Sequence, residues 1–279
     1  MRKQLLNVDN VVVEYPIKAR GQAPFRALQG VSIDINENET LGLVGESGSG
    51  KTTLGRSLLG LAPVASGKIT FLEQDITHAS RNERRKLSRD IQVVFQDPYT
   101  SLNPSMEIGQ ILAEPLEIQG VEKSEATKRI ATLLDQVNLP KDALHRLPRE
   151  FSGGQRQRIA IARALALPPK LIVCDEPVSA LDLTTQARIL DLFLQIQKDT
   201  GISYLFISHD LDVVRHISHR VAVMFKGEIV EQGISQKVTV NPDHPYTQKL
   251  LISSPVPDPD KQAVRRADRK LLAESYKIA

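Results

Sequence analysis

The chain has 279 residues, 41% of them hydrophobic and 25% charged, which is enough to bury a core as one large α/β domain or two smaller lobes. Its net charge of +3 is too small to argue for nucleic acid as the main partner. A single cysteine, Cys174, excludes an internal disulfide and any cysteine-cluster metal site, and it suits a reducing compartment.

Arg2 and Lys3 bring positive charge to the start, but Asn7, Asp9 and Asn10 break the apolar region that a signal peptide needs. No run approaches the roughly 18 apolar residues of a membrane span, so membrane association is expected to come through a partner. Leu5 to Tyr15 is rich in β-branched residues and reads as a first strand, ending just before Pro16. Residues 18–24 read as a polar hairpin tip. A second strand is expected from Ala27 to Ile35, where Val31, Ile33 and Ile35 alternate with Ser32 and Asp34. After a turn at Asn36 to Asn38 comes an apolar strand, Leu41 to Val44, and then Gly45-Glu46-Ser47-Gly48-Ser49-Gly50-Lys51-Thr52, with Thr53 following and a helical run from Leu54 to Leu61. The spacing G-x-x-x-x-G-K-[ST] between a strand and a helix marks a phosphate loop. Its glycines let successive backbone N–H groups turn inward on a phosphate chain, and the helix points its positive end at the same anion. Lys51 is placed to reach β/γ-phosphates, and the Thr52 hydroxyl to ligate the Mg²⁺ that bridges them.

Ala65-Ser66-Gly67 reads as a turn, Lys68 to Leu72 as a short strand, and Arg81 to Arg89 as a charged helix with a solvated face. Ile91 to Phe95 is an apolar strand ending at Gln96. Beyond Asp97 the pattern changes: Pro98, Pro104 and Pro115 punctuate the chain, and helical periodicity dominates from about Glu107 to Leu167. Ile130, Leu133, Leu134 and Val137 stand at i, i+3, i+4 and i+7. Residues 97 to about 167 are therefore expected to form a helical subdomain inserted in an α/β core. Within it, Ser152-Gly153-Gly154-Gln155 precedes a helix expected from Arg156 to Leu167. Ser152 suits its N-cap, and the glycines either open N–H groups toward an anion or belong to a simple capped helix. The core resumes with Leu171 to Glu176, continuous enough for a strand buried on both faces, with Cys174 read as packing. Asp175 ends that strand where a carboxylate can hold Mg²⁺ through water, and Glu176 is the leading candidate for the base that polarises an attacking water; taken alone, Asp-Glu-Pro would read as a turn. A helix from Thr184 to Lys198, a strand at Ile202 to Ile207, a helix at Leu211 to Ile217 and a hairpin at Val221 to Val230 complete the pattern. Strands alternating with helices imply a mostly parallel sheet with ligands at its carboxyl ends.

In that order, Gly45 to Thr52, Phe151 to Gln155 and Leu171 to Glu176 resemble the Walker A, signature and Walker B motifs of ABC-type ATPases, and the likeness spans nearly the whole chain. Gln96 resembles the Q-loop, Ser179-Ala180-Leu181-Asp182 the D-loop, and His209 the switch histidine, while Tyr15 falls where the family stacks an aromatic on adenine. Taken singly, Gln96 is also an ordinary strand-end residue, His209 a helix-start residue and Tyr15 a core residue. Phe151 stands where Leu is commoner. The resemblance implies the ABC ATPase fold over residues 1–240: a P-loop NTPase core with a mostly parallel sheet, N-terminal antiparallel β strands and the inserted helical subdomain. It implies ATP and Mg²⁺ as cofactors. Nucleotide contacts would come from Tyr15, Gly45, Glu46, Ser47, Gly48, Ser49, Gly50, Lys51, Thr52, Thr53, Gln96, Ser152, Gly153, Gly154, Gln155 and Asp182. Thr52, Gln96 and Asp175 would surround the metal, and Lys51, Glu176 and His209 would be the catalytic groups. Two subunits, homologous or identical, would meet head to tail with ATP between one P-loop and the other's Ser152 loop.

Phe95-Gln96-Asp97-Pro98-Tyr99-Thr100-Ser101-Leu102-Asn103-Pro104 resembles the dipeptide/oligopeptide importer ATPases, as does Asn241 to Leu251 with Ser254 to Pro259, so residues 241–279 read as the C-terminal extension of that branch. One of the paired ATPases in these importers has a C-terminal cysteine cluster for an iron–sulfur centre; this chain has no cysteine there and resembles the other. The branch implies a peripheral subunit at the cytoplasmic face of the cell membrane, joined to two transmembrane permease subunits. Through them it would serve a periplasmic or extracellular solute-binding protein, with no nucleic acid partner. Nickel or another small solute is the alternative cargo, and an ATPase acting on nucleic acid or ribosomes the alternative class. The basic stretch from Lys261 to Ala279 reads as a solvated helix or disordered tail.

Overall fold

The chain opens with two long antiparallel strands, β1 (Gln4–Tyr15) and β2 (Phe25–Asn36), in a computed structural model that describes residues 3–17 and 23–253. Most of the expected hairpin tip, the Ser254 to Pro259 segment and the basic stretch after Lys261 lie outside the described residues. Next come β3 (Thr40–Val44), α1 (Lys51–Leu58), β4 (Val64–Phe71), the two-residue β5 (Gln74–Asp75), α2 (Arg81–Leu87) and β6 (Ile91–Val94). The helical insertion holds α3 (Pro98–Ser101), α4 (Ile108–Ile118), α5 (Lys123–Gln136) and α6 (Gly153–Leu165). The core then returns as β7 (Leu171–Asp175), α7 (Leu183–Thr200), β8 (Ser203–Ser208), α8 (Leu211–Ile217), β9 (Arg220–Phe225) and β10 (Glu228–Ile234), closed by α9 (Ser235–Val240) and α10 (Pro245–Ser253).

Among the described residues these strands make two sheets. The antiparallel one runs β2-β1-β4-β5, and the other runs β10-β9-β3-β8-β7-β6, parallel from β9 to β6 with β10 antiparallel at its edge. Every residue of β3 and β8 is buried, which explains their unbroken apolar character: helices and the second sheet cover both faces. The mostly parallel sheet, the antiparallel N-terminal strands and the helical insertion all match expectation.

Two boundaries differ. Residues 65–67 are not a turn but lie inside β4, where Gly67 at φ +90° sits opposite the irregular stretch of β1 between Asp9 and Val12. A Cβ there would stand 2.3 Å from the Asn10 carbonyl oxygen, so glycine marks a close backbone approach within a bulged pair. The helix expected from Arg156 starts at Gly153 instead. Ser152 caps it as expected, and Gln155 answers as the other half of a capping box.

Ile130, Leu133, Leu134 and Val137 are buried, and they pack with Ile111 and Leu112 of α4 into an apolar cluster continuous with Cys174, Phe193 and Phe206 of the core. The insertion is thereby anchored to the sheet. Phe193 meets Tyr204 and Phe206 edge to face, with centroids 5.5 and 5.6 Å apart. Arg220 ties the sheets together, donating to Asp34 of β2 at 2.8 and 2.9 Å and to the buried Glu39 at 3.3 Å. Its guanidinium holds the Asp34 carboxyl below the usual range.

Candidate functional site

The five parallel strands of the larger sheet release their chains at one edge, and the sequence places a candidate residue just beyond four of them. Residue 45 follows β3, Gln96 lies two residues beyond β6, Glu176 follows β7 and His209 follows β8. Parallel pairing in the order β3-β8-β7-β6 brings these ends side by side. They border a cleft of about 1520 Å³ lined by Tyr15, Glu46, Gly48, Lys51, Gln96 and His209, with Ser47, Gly50, Thr52, Thr53 and Glu176 completing the phosphate side.

The loop from Gly45 to Gly50 wraps the start of α1. Gly48 and Gly50 hold φ of +78° and +109°, the left-handed region that glycine enters freely. A Cβ on Gly50 would stand 2.9 Å from the Ala27 carbonyl oxygen, and one on Gly45 2.2 Å from that of Met224. The loop is therefore pressed against β2 and β9 with no room for side chains at either position. Lys51 is only 5% exposed, and its Nζ donates to the carbonyls of Gly45 at 2.8 Å and Glu46 at 2.9 Å. Burial pushes its pKa down, while Glu176 and Asp175 pull it back.

At the end of β7, the Thr52 hydroxyl donates to Asp175 Oδ1 at 3.0 Å. Burial raises the Asp175 carboxyl above its ordinary value, that hydrogen bond opposes the rise, and Glu176 adds to it. Glu176 turns the backbone through φ +49°, rare for a side-chain-bearing residue, and its N–H donates to the Ile207 carbonyl at 3.0 Å, extending the β7–β8 pairing by one step. That turn aims the carboxylate across the strand ends. Its Oε2 accepts from Gln96 Nε2 at 3.3 Å and lies 3.1 Å from His209 Nδ1. Three side chains from three strand ends thus meet at one oxygen.

A hydroxyl, a carboxylate and a neighbouring amide form an oxygen-rich set of hard donors, the chemistry that Mg²⁺ takes. Among the described residues no group of three or more His, Cys, Asp or Glu is gathered, so Thr52 and Asp175 would share such an ion with phosphate and water. The residues fit the ion.

Other candidates lie apart from this cleft. Ser152 and Gln155 are engaged with each other, Ser152 Oγ accepting from Gln155 N at 3.3 Å and Gln155 Oε1 from Ser152 N at 2.9 Å. Asp182 caps α7, its carboxylate accepting from Thr185 N at 3.0 Å, and hydrogen bonding from Thr185, the side chain first and then the backbone, lowers its pKa. Gly153 and Gly154 form the first turn of α6 and do not line the cleft either. The segment after Gln96 reaches back to that helix: Arg163 donates to the Ser101 carbonyl, and the Arg156 guanidinium lies 4.0 Å from the Tyr99 ring centre.

Several lining residues escaped the sequence reading. Phe25 pairs with Tyr15 across β1 and β2 and lines the cleft beside it, which a strict hairpin register would have suggested. Arg56 and Arg163 border a smaller cleft with Thr52, Gln96 and Asp175. Behind the loop, outside both clefts, the Tyr246 hydroxyl oxygen accepts from the Glu46 N–H at 3.0 Å, a contact with no local signal because it spans 200 positions.

A family profile described as ABC transporter matches residues 28–179, and one described as Oligopeptide/dipeptide transporter, C-terminal region matches 230–276. The glutathione import ATP-binding protein GsiA of Escherichia coli (strain K12) is 50% identical over 275 residues, 97% of this chain and 44% of its own length. Oligopeptide transport ATP-binding protein OppD of Mycobacterium tuberculosis (strain ATCC 25618 / H37Rv) is 52% identical over 237 residues, 85% of this chain and 39% of its own. The chain therefore spans less than half the length of these curated relatives. Among solved structures, the ATP-binding cassette MJ0796, a dimer in a post-hydrolysis state bound to ADP and Pi, superposes with a TM-score of 0.74 at 29% identity, covering 83% of this chain and 99% of that one.

Proposed function

The chain belongs to the ABC transporter family, whose profile covers more than half of it, and from that premise we propose that it binds and hydrolyses ATP to drive an importer of di- or oligopeptides. The observation that carries the hydrolytic reading is the meeting of Gln96 and His209 on Glu176 Oε2, beside a phosphate loop whose Thr52 already pairs with Asp175.

In this reading the N–H groups of residues 48–53 and the positive end of α1 take the phosphate chain. Lys51 keeps the Gly45 carbonyl and turns its other N–H donors, one of them from the Glu46 carbonyl, to phosphate oxygens, and the negative charge it meets offsets the burial that lowers its pKa. Tyr15, with Phe25 beside it, offers an aromatic face to the base. Thr52, Asp175 and Gln96 would hold Mg²⁺, which when bound would supply positive charge to the phosphates. Glu176 takes a proton from the attacking water, its carboxylate steadied by Gln96 and His209, and His209 lies where it can contact the γ-phosphate. Ser152, Gly153, Gly154, Gln155 and Asp182 stand outside this chain's own cleft. Their role falls to the nucleotide of a second, head-to-tail subunit, identical or homologous; that MJ0796 is a dimer supports the pairing of two such chains.

Relatives named for glutathione and oligopeptide import support a short-peptide cargo, as does the C-terminal profile over residues 230–276. No described helix is long and apolar enough to cross a membrane, so two permease subunits would form the path and this chain would sit on their cytoplasmic face, with a solute-binding protein on the far side. Residues 1–240 would form the ATPase domain, with the helical subdomain at 97–167, and residues 241–279 the extension.

The hydrolytic reading is tested with Glu176→Gln. MgATP affinity should stay near wild type while turnover falls about 10²–10⁴-fold; wild-type turnover would remove Glu176 as the base. The transport reading is tested by purifying the tagged protein from detergent-solubilised native membranes. Two permeases and a second ATPase are expected among the captured proteins, whereas ribosomes or DNA-repair proteins would overturn transport and leave the ATPase chemistry standing.

A further inference from the structure

Tyr246, in the first turn of α10, reaches from the C-terminal region into the back of the phosphate loop. Its hydroxyl oxygen accepts from the Glu46 N–H at 3.0 Å. The residue is 8% exposed, and its ring lies 4.2 Å from that of Phe225 between centroids and packs among Val44, Leu211 and Val223. Burial raises its pKa, so the hydroxyl stays neutral at physiological pH.

The Glu46 N–H and the Gly45 carbonyl belong to the same peptide group. That carbonyl accepts from Lys51 Nζ at 2.8 Å. One planar unit is therefore held on both sides, by a tyrosine oxygen on its hydrogen and by the lysine ammonium on its oxygen. Hydrogen bonds in such a chain polarise one another, so acceptance at the N–H strengthens the carbonyl as an acceptor for Lys51. On the third side Gly45 abuts the Met224 carbonyl, which leaves the peptide little freedom to rotate.

We propose that Tyr246 is a positioning residue for the nucleotide site, fixing the 45–46 peptide and through it Lys51, so that α10 sets the affinity of the loop for nucleotide phosphates. The inference rests on the ATP-binding reading above. It makes the docking of α10 and the binding of nucleotide linked, and linkage is reciprocal: whatever loosens α10 weakens binding, and bound nucleotide tightens α10.

Tyr246→Phe keeps the ring and its stack on Phe225 and removes only the hydroxyl. With the full chain, calorimetric titration with MgADP and MgATP should show Kd raised about 2–10-fold, the range expected for one hydrogen bond. KM for ATP should rise in parallel while kcat at saturating ATP stays within about twofold. Hydrogen exchange supplies a second readout: MgADP should slow exchange across residues 245–253 in the wild type and much less in Tyr246→Phe. Unchanged Kd for both nucleotides would overturn the proposal, and so would a lowered melting midpoint with unchanged affinity, since that is the signature of packing alone. A wild-type chain that binds neither nucleotide would instead overturn the ATP-binding reading itself.

Discussion

Asp175 carries its carboxyl in surroundings that disfavour the charged form. Burial is the largest influence on its carboxyl and raises the pKa, the hydrogen bond from Thr52 opposes it, and the neighbouring Glu176 adds to the rise. A carboxyl whose folded pKa exceeds its unfolded one lowers stability as pH climbs through the folded value, because the fold then carries a charge the unfolded chain solvates better. Asp175→Asn should therefore keep or raise the thermal midpoint measured at neutral pH without nucleotide, while MgATP turnover should fall at least about 100-fold for want of the carboxylate proposed to hold the metal. A midpoint lowered by several degrees would show the carboxylate to be a net stabiliser. Glu176, next in the chain, shows what the residue scale hides from sequence. Asp-Glu-Pro suggests a turn, and a turn it is, but only the φ of +49° and the bond to Ile207 reveal that it carries the carboxylate across the strand ends.

At the scale of elements, the first turns of α6 and α7 come close enough that one needs glycine. A Cβ on Gly154 would lie 2.4 Å from Thr185 Cγ2, a stiff β-branched side chain one turn into α7. Gly154→Ala should cost about 1–3 kcal/mol by chemical denaturation, and adding Thr185→Ser, which removes that methyl, should recover most of it. A neutral Gly154→Ala would mean that the two helices can part without strain. The pairing matters because the caps on these helices, Ser152 and Asp182, are the residues proposed to serve a second subunit's nucleotide. Element type was largely readable from the pattern of apolar residues, as Ile130, Leu133, Leu134 and Val137 illustrate. Gly67 misled because a glycine that permits a bulge looks, in sequence, like a glycine that permits a turn.

At the scale of the whole molecule, the cleft holds the phosphate loop, Gln96, Glu176 and His209, while Ser152 and Asp182 lie outside it. If hydrolysis belongs to a head-to-tail pair, Glu176→Gln, which should bind MgATP and stall, ought to sediment as two chains at saturating MgATP and as one without nucleotide. A single-chain mass under both conditions would remove self-pairing and leave a homologous partner as the remaining form of the proposal. The two sheets and the insertion behave as one scaffold for this arrangement, with Arg220 joining β9 to β2 and the helical cluster running on into Cys174 and Phe206.

The amino-acid sequence alone determined the phosphate loop, the strand–helix alternation and the order of the Gln96, Ser152, Asp175, Glu176 and His209 segments. Those features are legible because they are local: a phosphate is gripped by consecutive backbone N–H groups, so the glycines must stand at fixed spacing, and an N-cap must adjoin the helix it caps. The tertiary structure decided which side chains meet. Glu176 receives Gln96 from 80 positions away and His209 from 33, and the Gly45–Glu46 peptide is held by Tyr246 from across 200. No spacing encodes such contacts, since they arise only when parallel strands align their carboxyl ends and a closing helix packs beneath the loop that one of them carries.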